Sequence, residues 1–338
     1  MAGGESGGDA PLVLLANLGT PTEPTPEAVA TFLREFLSDP WVVDWPRWLW
    51  KPVLEGLVLR RRPPRVAALY RELWTDEGSP LLAGTQRLAR ALERRLERRA
   101  TVRAVLRYGP ENIEQQVRRH MAESSSPCVV LPLFAQRTGS TTGTIAGAAE
   151  AGASAAPGRL CLARLAADDP DYVAALAATF EQAVAEKVAP PRHLLVSFHG
   201  VPVSHERRDG GIYARECRAT FQALLERLAW PAERATLCFQ SRFGPGKWLT
   251  PATEPQLVDL ARRGVTRVAL IAPGFLTEGL ETLEELDLRA ATAFRRAGGE
   301  DFLRVPALED HPRLVAGLET AVCRTLERAP SPAEGRHG

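Results

Sequence analysis

The chain has 338 residues, which at roughly 150 residues per domain corresponds to about two domains. Its 42 Lys and Arg residues nearly balance its 41 Asp and Glu residues, so no global electrostatic field attracts nucleic acid or anionic lipid. Hydrophobic residues make up 45% of the chain and charged residues 25%, which is the composition of an ordinary folded protein. The composition excludes a disordered chain and argues against a nucleic-acid-binding protein.

The termini and the cysteines indicate the cellular compartment. Residues 1–10 lack the basic and apolar regions of a secretory signal and are predicted to form a flexible leader, and residues 329–338 a flexible tail. The five cysteines are widely spaced and form no C-x-x-C pair, which indicates reduced thiols and a cytoplasmic location. No apolar run approaches 18 residues, so we expect no transmembrane span.

Short apolar runs alternate along the chain with helical patterns. Six runs have the length and β-branched content of buried strands: residues 11–19, 101–109, 128–136, 193–200, 235–241 and 267–275. Helical patterns cover residues 80–99, 256–264 and 278–298. This alternation predicts an α/β protein with parallel sheets that helices cover on both faces.

The division between the domains is predicted from composition. Residues 148–158, AAEAGASAAPG, are rich in Ala and Gly and show the least predicted structure. We therefore predict an N-terminal domain over residues 11–158 and a C-terminal domain over residues 159–328. Ligands of such folds bind beyond the carboxyl ends of the strands, and these ends are where we look for chemistry.

One histidine follows a predicted strand directly. His199 lies at the end of the apolar run HLLVSFH, and the following Gly-Val-Pro stops the strand and leaves the imidazole facing a crevice. A neutral imidazole there can accept a proton or bind a metal, or it can serve a purely structural role. The other five histidines are predicted to lie at the surface: His120, His193, His205, His311 and His337.

Acidic residues follow the last predicted strand. Glu278, Glu281 and Glu285 have the i, i+3, i+7 spacing that places three carboxylates on one face of a helix. They can line a path for protons or metal ions, or they can simply be solvated surface groups that balance the helix dipole. Glu284 and Asp287 are assigned to that surface. The chain has no sequence pattern of a closed zinc or calcium site.

Two further segments allow more than one interpretation. GSTTG at residues 139–143 opens a helical pattern and can cradle a phosphate, but it lacks the spacing of a nucleotide-binding loop, which favours helix packing. Residues 41–62 hold four of the seven tryptophans and end in three arginines. This composition fits a buried helix, the lip of an apolar pocket or a membrane interface.

Several of these strand ends together resemble the ferrochelatases, the terminal enzymes of haem synthesis. The matching motifs occur in the family's order between about residues 12 and 326: NLGTP, FLREFLSDP, GSPL, LRYGP, SFHGVP, FQSRFGPGKWL, PGF and LETLEE. Each motif alone is weak, but seven or more in register are specific.

The resemblance implies two similar Rossmann-like, chelatase-type domains, each with a four-stranded parallel sheet flanked by helices, and a porphyrin cleft between them. It implies that His199 and Glu281 are the catalytic pair and that these two residues and Glu285 handle the metal. Substrate contacts are carried over onto Arg62, Tyr70, Ser79, Trp248 and Phe275. Iron is then a substrate, no cofactor is required, and the last helix packs back on the first domain.

The chain also departs from the family pattern. Many members continue the acidic line eight residues after the key glutamate, where this chain has Arg289, a cation that would repel Fe(II) if it faces the metal path. Gln136-Arg137-Thr138 and Glu278-Gly279 replace the usual Gln-Tyr-Ser and Asp-Cys. Some relatives hold a [2Fe–2S] cluster on C-terminal cysteines, but only Cys323 lies in that region, so we predict none.

Within the resemblance, protoporphyrin IX is favoured over coproporphyrin III as the substrate, because NLGTP and GSPL resemble the protoporphyrin branch. A cobalt chelatase for corrin precursors fits the motifs less well, and a non-catalytic porphyrin or haem carrier is the alternative from another class. Expected partners are porphyrin, ferrous iron, an upstream oxidase of the haem pathway, and the inner face of the membrane through residues 41–60.

Overall fold

The computed structural model describes residues 10–97, 99–110, 112–242 and 246–329. Within these described residues, eight strands form two parallel sheets: β1 (Leu12–Asn17), β2 (Thr101–Leu106), β3 (Cys128–Pro132), β4 (Leu160–Leu162), β5 (His193–His199), β6 (Ala235–Gln240), β7 (Arg267–Ile271) and β8 (Asp301–Arg304). The orders β2-β1-β3-β4 and β6-β5-β7-β8 give both sheets the same topology. The predicted fold class, two similar α/β halves with four-stranded parallel sheets, is confirmed.

Helices cover both sheets. They are α1 (Pro26–Ser38), α2 (Arg47–Val53), α3 (Leu59–Leu73), α4 (Pro80–Arg95), α5 (Ile113–Glu123), α6 (Thr144–Gly152), α7 (Pro170–Ala185), α8 (Val203–Arg208), α9 (Ile212–Leu228), α10 (Thr253–Arg262), α11 (Ala291–Arg296) and α12 (Pro312–Leu326). Three π-helical segments occur at Leu54–Val58, Gly139–Gly143 and Glu281–Ala290. The predicted leader and tail lie almost entirely outside the described residues.

The six strands predicted from apolar runs are all present, as β1, β2, β3, β5, β6 and β7. β1 and β3 are buried along their whole length because helices cover both faces of the sheet, which explains their continuous apolar sequence. The edge strands β4 and β8 were not predicted. They have three and four residues and are only partly buried, so their apolar signal is too short to stand out.

The prediction that residues 148–158 have the least structure is wrong. The first part of this interval belongs to α6, whose Ala148 and Ala149 are buried against the first sheet and α5. At Gly152 a side chain would place its Cβ 2.5 Å from the backbone oxygen of Glu114. The small residues thus allow close helix packing and do not form a flexible connection.

The first sheet extends past the predicted domain boundary. β4 begins at Leu160 and pairs with β3 of the first sheet, so we place the division between the halves after β4 instead of at residue 158. The last helix, α12, packs against α7 and α4 and reaches β3 and β4. One hydrophobic core runs continuously through both halves, from Val13 on β1 to Phe198 on β5.

A buried carboxylate fixes the chain where it leaves α1. The Oδ2 atom of Asp39 accepts hydrogen bonds from Arg107 at 2.9 Å, Tyr108 at 2.9 Å and Thr144 at 2.6 Å. Its Oδ1 atom accepts a bond from the backbone N–H of Trp41. FLREFLSDP and LRYGP therefore meet in one network, which sets the path of the chain toward α2.

Replacing Asp39→Asn should destabilise the fold. The groups around the Asp39 carboxylate all donate hydrogen bonds, so the N–H groups of the new amide find no acceptor there. The Arg107 guanidinium also loses its charged partner, and the two effects typically cost about 2–4 kcal/mol in the free energy of unfolding. Urea titration followed by circular dichroism measures the change. The control is Glu55→Gln, which breaks the exposed ion pair with Arg34 and should cost less than about 1 kcal/mol. Equal losses in the two variants would contradict the assignment.

Candidate active site

The carboxyl ends of β5 and β7 bring two groups of the predicted site together. His199 is the last residue of β5, and its side chain is exposed, as the Gly-Val-Pro turn predicts. Phe275 follows β7, and its ring centre lies 6.3 Å from that of His199 at an angle of 52°. The imidazole therefore stands beside an aromatic wall at the mouth of the second sheet.

A hydrogen bond fixes the tautomer of His199. Its Nδ1 atom lies 2.7 Å from the backbone oxygen of Gly200. A carbonyl oxygen only accepts, so the neutral ring carries its proton on Nδ1 and donates it to Gly200. The lone pair on Nε2 is then available to accept a proton or to bind a metal ion.

Glu281 lies near enough to this imidazole for the two charges to interact. It is the first residue of the π-helical segment Glu281–Ala290 and is partly buried. Burial is the largest influence and raises the pKa of its carboxyl, and the neighbouring Glu285 raises it further, whereas the positive charge of protonated His199 lowers it. Glu281 therefore holds a proton more readily than an exposed glutamate does and interacts electrostatically with His199.

Glu285 is held by the loop after β6. Its two carboxylate oxygens accept hydrogen bonds from the backbone N–H of Ser241 at 2.7 Å and from the Ser241 hydroxyl at 2.5 Å. Ser241 has a φ of 61°, an uncommon conformation for a residue other than glycine. Ser241 was missed by the sequence analysis, although it lies within the FQSRFGPGKWL motif.

Glu278 does not belong to the predicted line of three carboxylates, so that prediction is wrong for this residue. This residue precedes the π-helical segment, and its carboxylate accepts hydrogen bonds from Arg304 at 2.8 Å, the Ala307 N–H at 2.8 Å and the Thr282 hydroxyl at 2.5 Å. The i, i+3, i+7 argument assumes an α-helix from Glu278 onward, which does not form there. Glu278 anchors the start of the segment and does not share a path with Glu281.

Arg289 pairs with the acidic residues of its own segment. Its Nε atom lies 3.2 Å from a Glu284 carboxylate oxygen and its Nη2 atom 3.6 Å from one of Glu285. Its side chain is half exposed. The positive charge at this position thus lies beside Glu285 and reduces the negative charge of the acidic face.

Residues of the first half form the opposite wall of the site. Tyr70 on α3 is 8% exposed, and burial first and the charge of Glu281 second raise the pKa of its phenol. The charge of Glu281 acts on this phenol, so Tyr70 of the first half and Glu281 of the second half lie close together. Ser79 is 2% exposed, and its hydroxyl accepts a hydrogen bond from Thr20 at 2.8 Å, which ties the GSPL turn to the NLGTP loop.

The remaining predicted contacts lie around this centre or on α3. Trp248 packs against Gly200, since a side chain at Gly200 would bring its Cβ within 3.3 Å of the indole. Arg62 lies on α3 and is partly buried, and burial lowers the pKa of its guanidinium. The roles assigned to Arg62, Tyr70, Ser79, Trp248 and Phe275 stay predictions.

Two histidines predicted at the surface are buried instead. His193 begins β5 and bonds to the Thr236 hydroxyl at 2.8 Å, and burial lowers its pKa. His205 on α8 lies 3.2 Å from the carboxylate of Asp44. Both predictions relied on position in the chain and missed the pairing partners, which come from distant segments.

GSTTG does not cradle a phosphate. The backbone N–H of Gly139 donates to the carboxylate of Asp209 at 2.8 Å, so an internal anion occupies the position. The indole of Trp41 covers Gly139 so closely that a Cβ there would lie 2.8 Å from a ring carbon. Close packing is the reason for this glycine, as the alternative interpretation predicted.

Residues 41–62 do not form a buried helix. Three tryptophans are exposed, and the exposed fraction rises from Trp41 through Trp45 to 76% for Trp48. Leu49 and Leu57 are exposed beside them. This apolar surface, which we call the lip, comprises Trp45, Trp48, Leu49 and Leu57.

Across the described residues, no group of three or more His, Cys, Asp or Glu side chains is arranged to hold a metal ion. The same part of the chain contains no helix with the length and apolar character required to cross a bilayer. The metal roles of His199, Glu281 and Glu285 stay predictions.

The raised pKa of Glu281 predicts the effect of Glu281→Gln on stability. A carboxyl whose pKa is higher in the folded than in the unfolded state favours folding at low pH, and this contribution is lost as pH rises through the raised pKa. Glu281→Gln should therefore be more stable than the wild type at pH 8, with the difference shrinking toward pH 4. Urea unfolding across this range measures it. Glu284→Gln, which loses the ion pair with Arg289, should show no such gain.

The chain is similar to known proteins over nearly its whole length. A family model described as ferrochelatase matches residues 12–326. The ferrochelatase of Methylibium petroleiphilum is 41% identical over 95% of this chain and 91% of its own length. That of Sodalis glossinidius is 42% identical over 95% and 96%, and that of Pectobacterium atrosepticum 40% identical over 92% and 97%.

Solved structures support the fold. The cobalt complex of the sirohydrochlorin chelatase SirB from Bacillus subtilis subspecies spizizenii matches 97% of this chain and 98% of its own, with a TM-score of 0.54 and 11% identity. SirB from Bacillus subtilis with Fe³⁺ matches 77% and 95%, with a TM-score of 0.51 and 16% identity. The family match and the identity to the curated relatives show that the chain belongs to the ferrochelatase family.

Proposed function

We propose that this enzyme inserts Fe(II) into protoporphyrin IX to give protohaem, with His199 and Glu281 handling the pyrrole protons and the metal. As a ferrochelatase, the chain inserts iron into a porphyrin in haem synthesis. The observation that carries the residue assignment is that an imidazole whose Nε2 lone pair is available interacts electrostatically with a partly buried carboxyl of raised pKa.

The chemistry of insertion requires a proton acceptor on the porphyrin face. Two pyrrole N–H protons leave as Fe(II) binds the four nitrogens, so the reaction releases two protons for each haem formed. Nε2 of His199 accepts a proton at a cleft wall. Burial raises the pKa of Glu281, so this carboxyl takes up a proton from the site more readily than an exposed glutamate does.

The walls of the cleft give the ring its orientation. Phe275 and Trp248 present aromatic surface beside His199, and Tyr70 and Arg62 lie on α3 in the first half. A rigid cleft between two halves can hold the macrocycle bent, which exposes nitrogen lone pairs that a flat ring hides. The hydrogen bond from the Thr20 hydroxyl to the Ser79 hydroxyl stabilises the first-half side of the cleft.

Iron approaches, in this proposal, along Glu285 and Glu281. Both carboxylate oxygens of Glu285 already accept hydrogen bonds from Ser241, so the residue offers its remaining lone pairs in a fixed orientation. Arg289 partly neutralises Glu285. The site therefore favours brief metal contact over tight binding, as a substrate requires.

Cofactor and location complete the proposal. We propose that the enzyme needs no cofactor and holds no [2Fe–2S] cluster, because the five cysteines are separate free thiols spread over the fold. We further propose a cytoplasmic enzyme that contacts the membrane peripherally through the lip and receives its porphyrin from an upstream oxidase. Exposed tryptophans suit the interface between lipid and water.

Anaerobic Fe(II) insertion, followed by the porphyrin absorbance, tests the reaction. Wild type should turn over protoporphyrin IX faster than coproporphyrin III, and His199→Ala should lose about 10²- to 10⁴-fold in kcat because the proton acceptor is gone. His120→Ala, which removes a histidine bonded to Ser126, should change kcat less than about twofold.

Three outcomes would overturn parts of the proposal. Faster turnover of coproporphyrin III would reassign the substrate. Undiminished activity of His199→Ala would remove the histidine from the mechanism. Tight porphyrin binding by the wild type without turnover would make the chain a carrier on a chelatase fold.

Flotation with phosphatidylcholine–phosphatidylglycerol vesicles tests the lip. Trp45→Ala with Trp48→Ala should weaken vesicle binding by about tenfold, since apolar side-chain area is lost from the interface. The matched control is Leu162→Ala, which removes an exposed apolar residue at the edge of the first sheet. Equal flotation of all three proteins would rule out the lip as the contact.

A further inference from the structure

The peptide group between His199 and Gly200 is held at both of its ends. The hydroxyl of Tyr213 donates a hydrogen bond to the His199 carbonyl oxygen at 2.8 Å. The N–H of Gly200 donates to the Gln240 carbonyl oxygen at 2.6 Å. These two bonds pull on opposite edges of one planar peptide and so fix its rotation.

Tyr213 is itself held rigidly. It is the second residue of α9, which begins after Gly210 and Gly211, both in the left-handed region with φ of 68° and 69°. The Gly211 N–H donates to the backbone oxygen of Glu206 at 2.8 Å, which closes the turn between α8 and α9. The tyrosine ring is buried, and burial raises the pKa of its phenol, so the hydroxyl stays protonated and remains a donor.

We propose that Tyr213 is a positioning residue that, through the His199–Gly200 peptide, keeps the His199 imidazole in the Nδ1–H tautomer with Nε2 directed into the cleft. The proposal rests on the function proposed above for His199. It adds a buried residue that belongs to no motif on which the resemblance was based.

The geometry explains why the peptide matters to the ring. The next carbonyl, that of Gly200, accepts the Nδ1–H bond of His199. Rotation of the His199–Gly200 peptide changes ψ of His199 and φ of Gly200. The change in φ displaces the Gly200 carbonyl, which belongs to the following peptide, and the bond to Nδ1 weakens. The proton then distributes between the two nitrogens, and a ring protonated on Nε2 cannot accept a pyrrole proton.

The other end of the peptide has no freedom to compensate. At Gly200, a Cβ would lie 2.5 Å from the Gln240 carbonyl oxygen and 3.3 Å from a carbon of the Trp248 indole. The backbone is therefore packed against β6 and Trp248 without space for a side chain. Tyr213 is the side chain that controls the carbonyl end.

Tyr213→Phe is the direct test because it removes the hydroxyl and keeps the ring. We expect kcat for Fe(II) insertion to fall about tenfold, as small displacements of a reacting group do, and KM for protoporphyrin IX to stay within about twofold. Tyr108→Phe removes a comparable buried hydroxyl bonded to Asp39 and should change kcat less than about twofold.

A double-mutant cycle separates positioning from general destabilisation. In a His199→Ala background, Tyr213→Phe should have no further effect on kcat, because the ring it positions is absent. An undiminished tenfold loss in that background would overturn the proposal. If His199→Ala alone has full activity, the function proposed for His199 fails instead, so the two failures are distinguishable.

The tautomer can be read without turnover. Long-range ¹H–¹⁵N correlation spectra of ¹⁵N-histidine protein, assigned with His199→Ala, should show the Nδ1–H tautomer in wild type and a mixture in Tyr213→Phe. Gly200→Ala, which disturbs the opposite end of the peptide, should give a similar mixture. An unchanged Nδ1–H signature in both folded variants would overturn the proposal.

Discussion

The candidate site combines His199 and Glu281 of the second half with Tyr70 and Ser79 of the first half, so it depends on the relative position of the two halves. Two separate parallel sheets must therefore keep a fixed distance. A continuous core provides this, since it includes residues of both sheets and of the helices between them. Asn17 at the end of β1 adds a polar link, because its amide lies 3.3 Å from the hydroxyl of Thr277, which follows β7.

The same junction controls where the π-helical segment begins. Glu309 accepts a hydrogen bond from the Glu278 N–H at 2.9 Å and pairs with Arg87 on α4 at 2.9 Å. Gly84 on α4 leaves space for this carboxylate, since a Cβ there would lie 2.5 Å from it. The segment that carries Glu281 is thus anchored to the first half before its first turn.

This anchoring explains how the fold tolerates Glu281, a partly buried carboxyl of raised pKa. An ionised Glu281 in the cleft is unfavourable for folding, and the surrounding packing must outweigh that cost. The contacts that do so are remote from the reacting atoms: the continuous core, the Glu278–Arg304 pair and the Glu309–Arg87 pair. Stability is supplied around the site while the site itself keeps an unfavourable group, which is common for catalytic carboxyls.

Features that a few neighbouring residues determine were predicted from the sequence, whereas features that depend on distant residues were missed. Six strands and His199 were predicted because an apolar run and a Gly-Val-Pro turn are visible in a few residues. The edge strands β4 and β8 were too short to be recognised. Glu278 was misplaced because an α-helical period was assumed across a π-helical start. The burial of His205 depends on Asp44, more than a hundred residues away, and no local pattern reports such a pair.

The segment that leads to the lip, residues 39–44, contacts both halves of the molecule. Asp39 is fixed by Arg107 and Tyr108 of the first half, whereas Trp41 lies beneath Arg208 of α8, whose guanidinium is 5.6 Å from the ring centre. The His205–Asp44 pair adds a second contact with α8. The chain is therefore tied to both halves just before the exposed Trp45 and Trp48 of the lip. The contacts of Asp39, Trp41 and Asp44 fix the base of the lip, whereas its two tryptophans project into solvent.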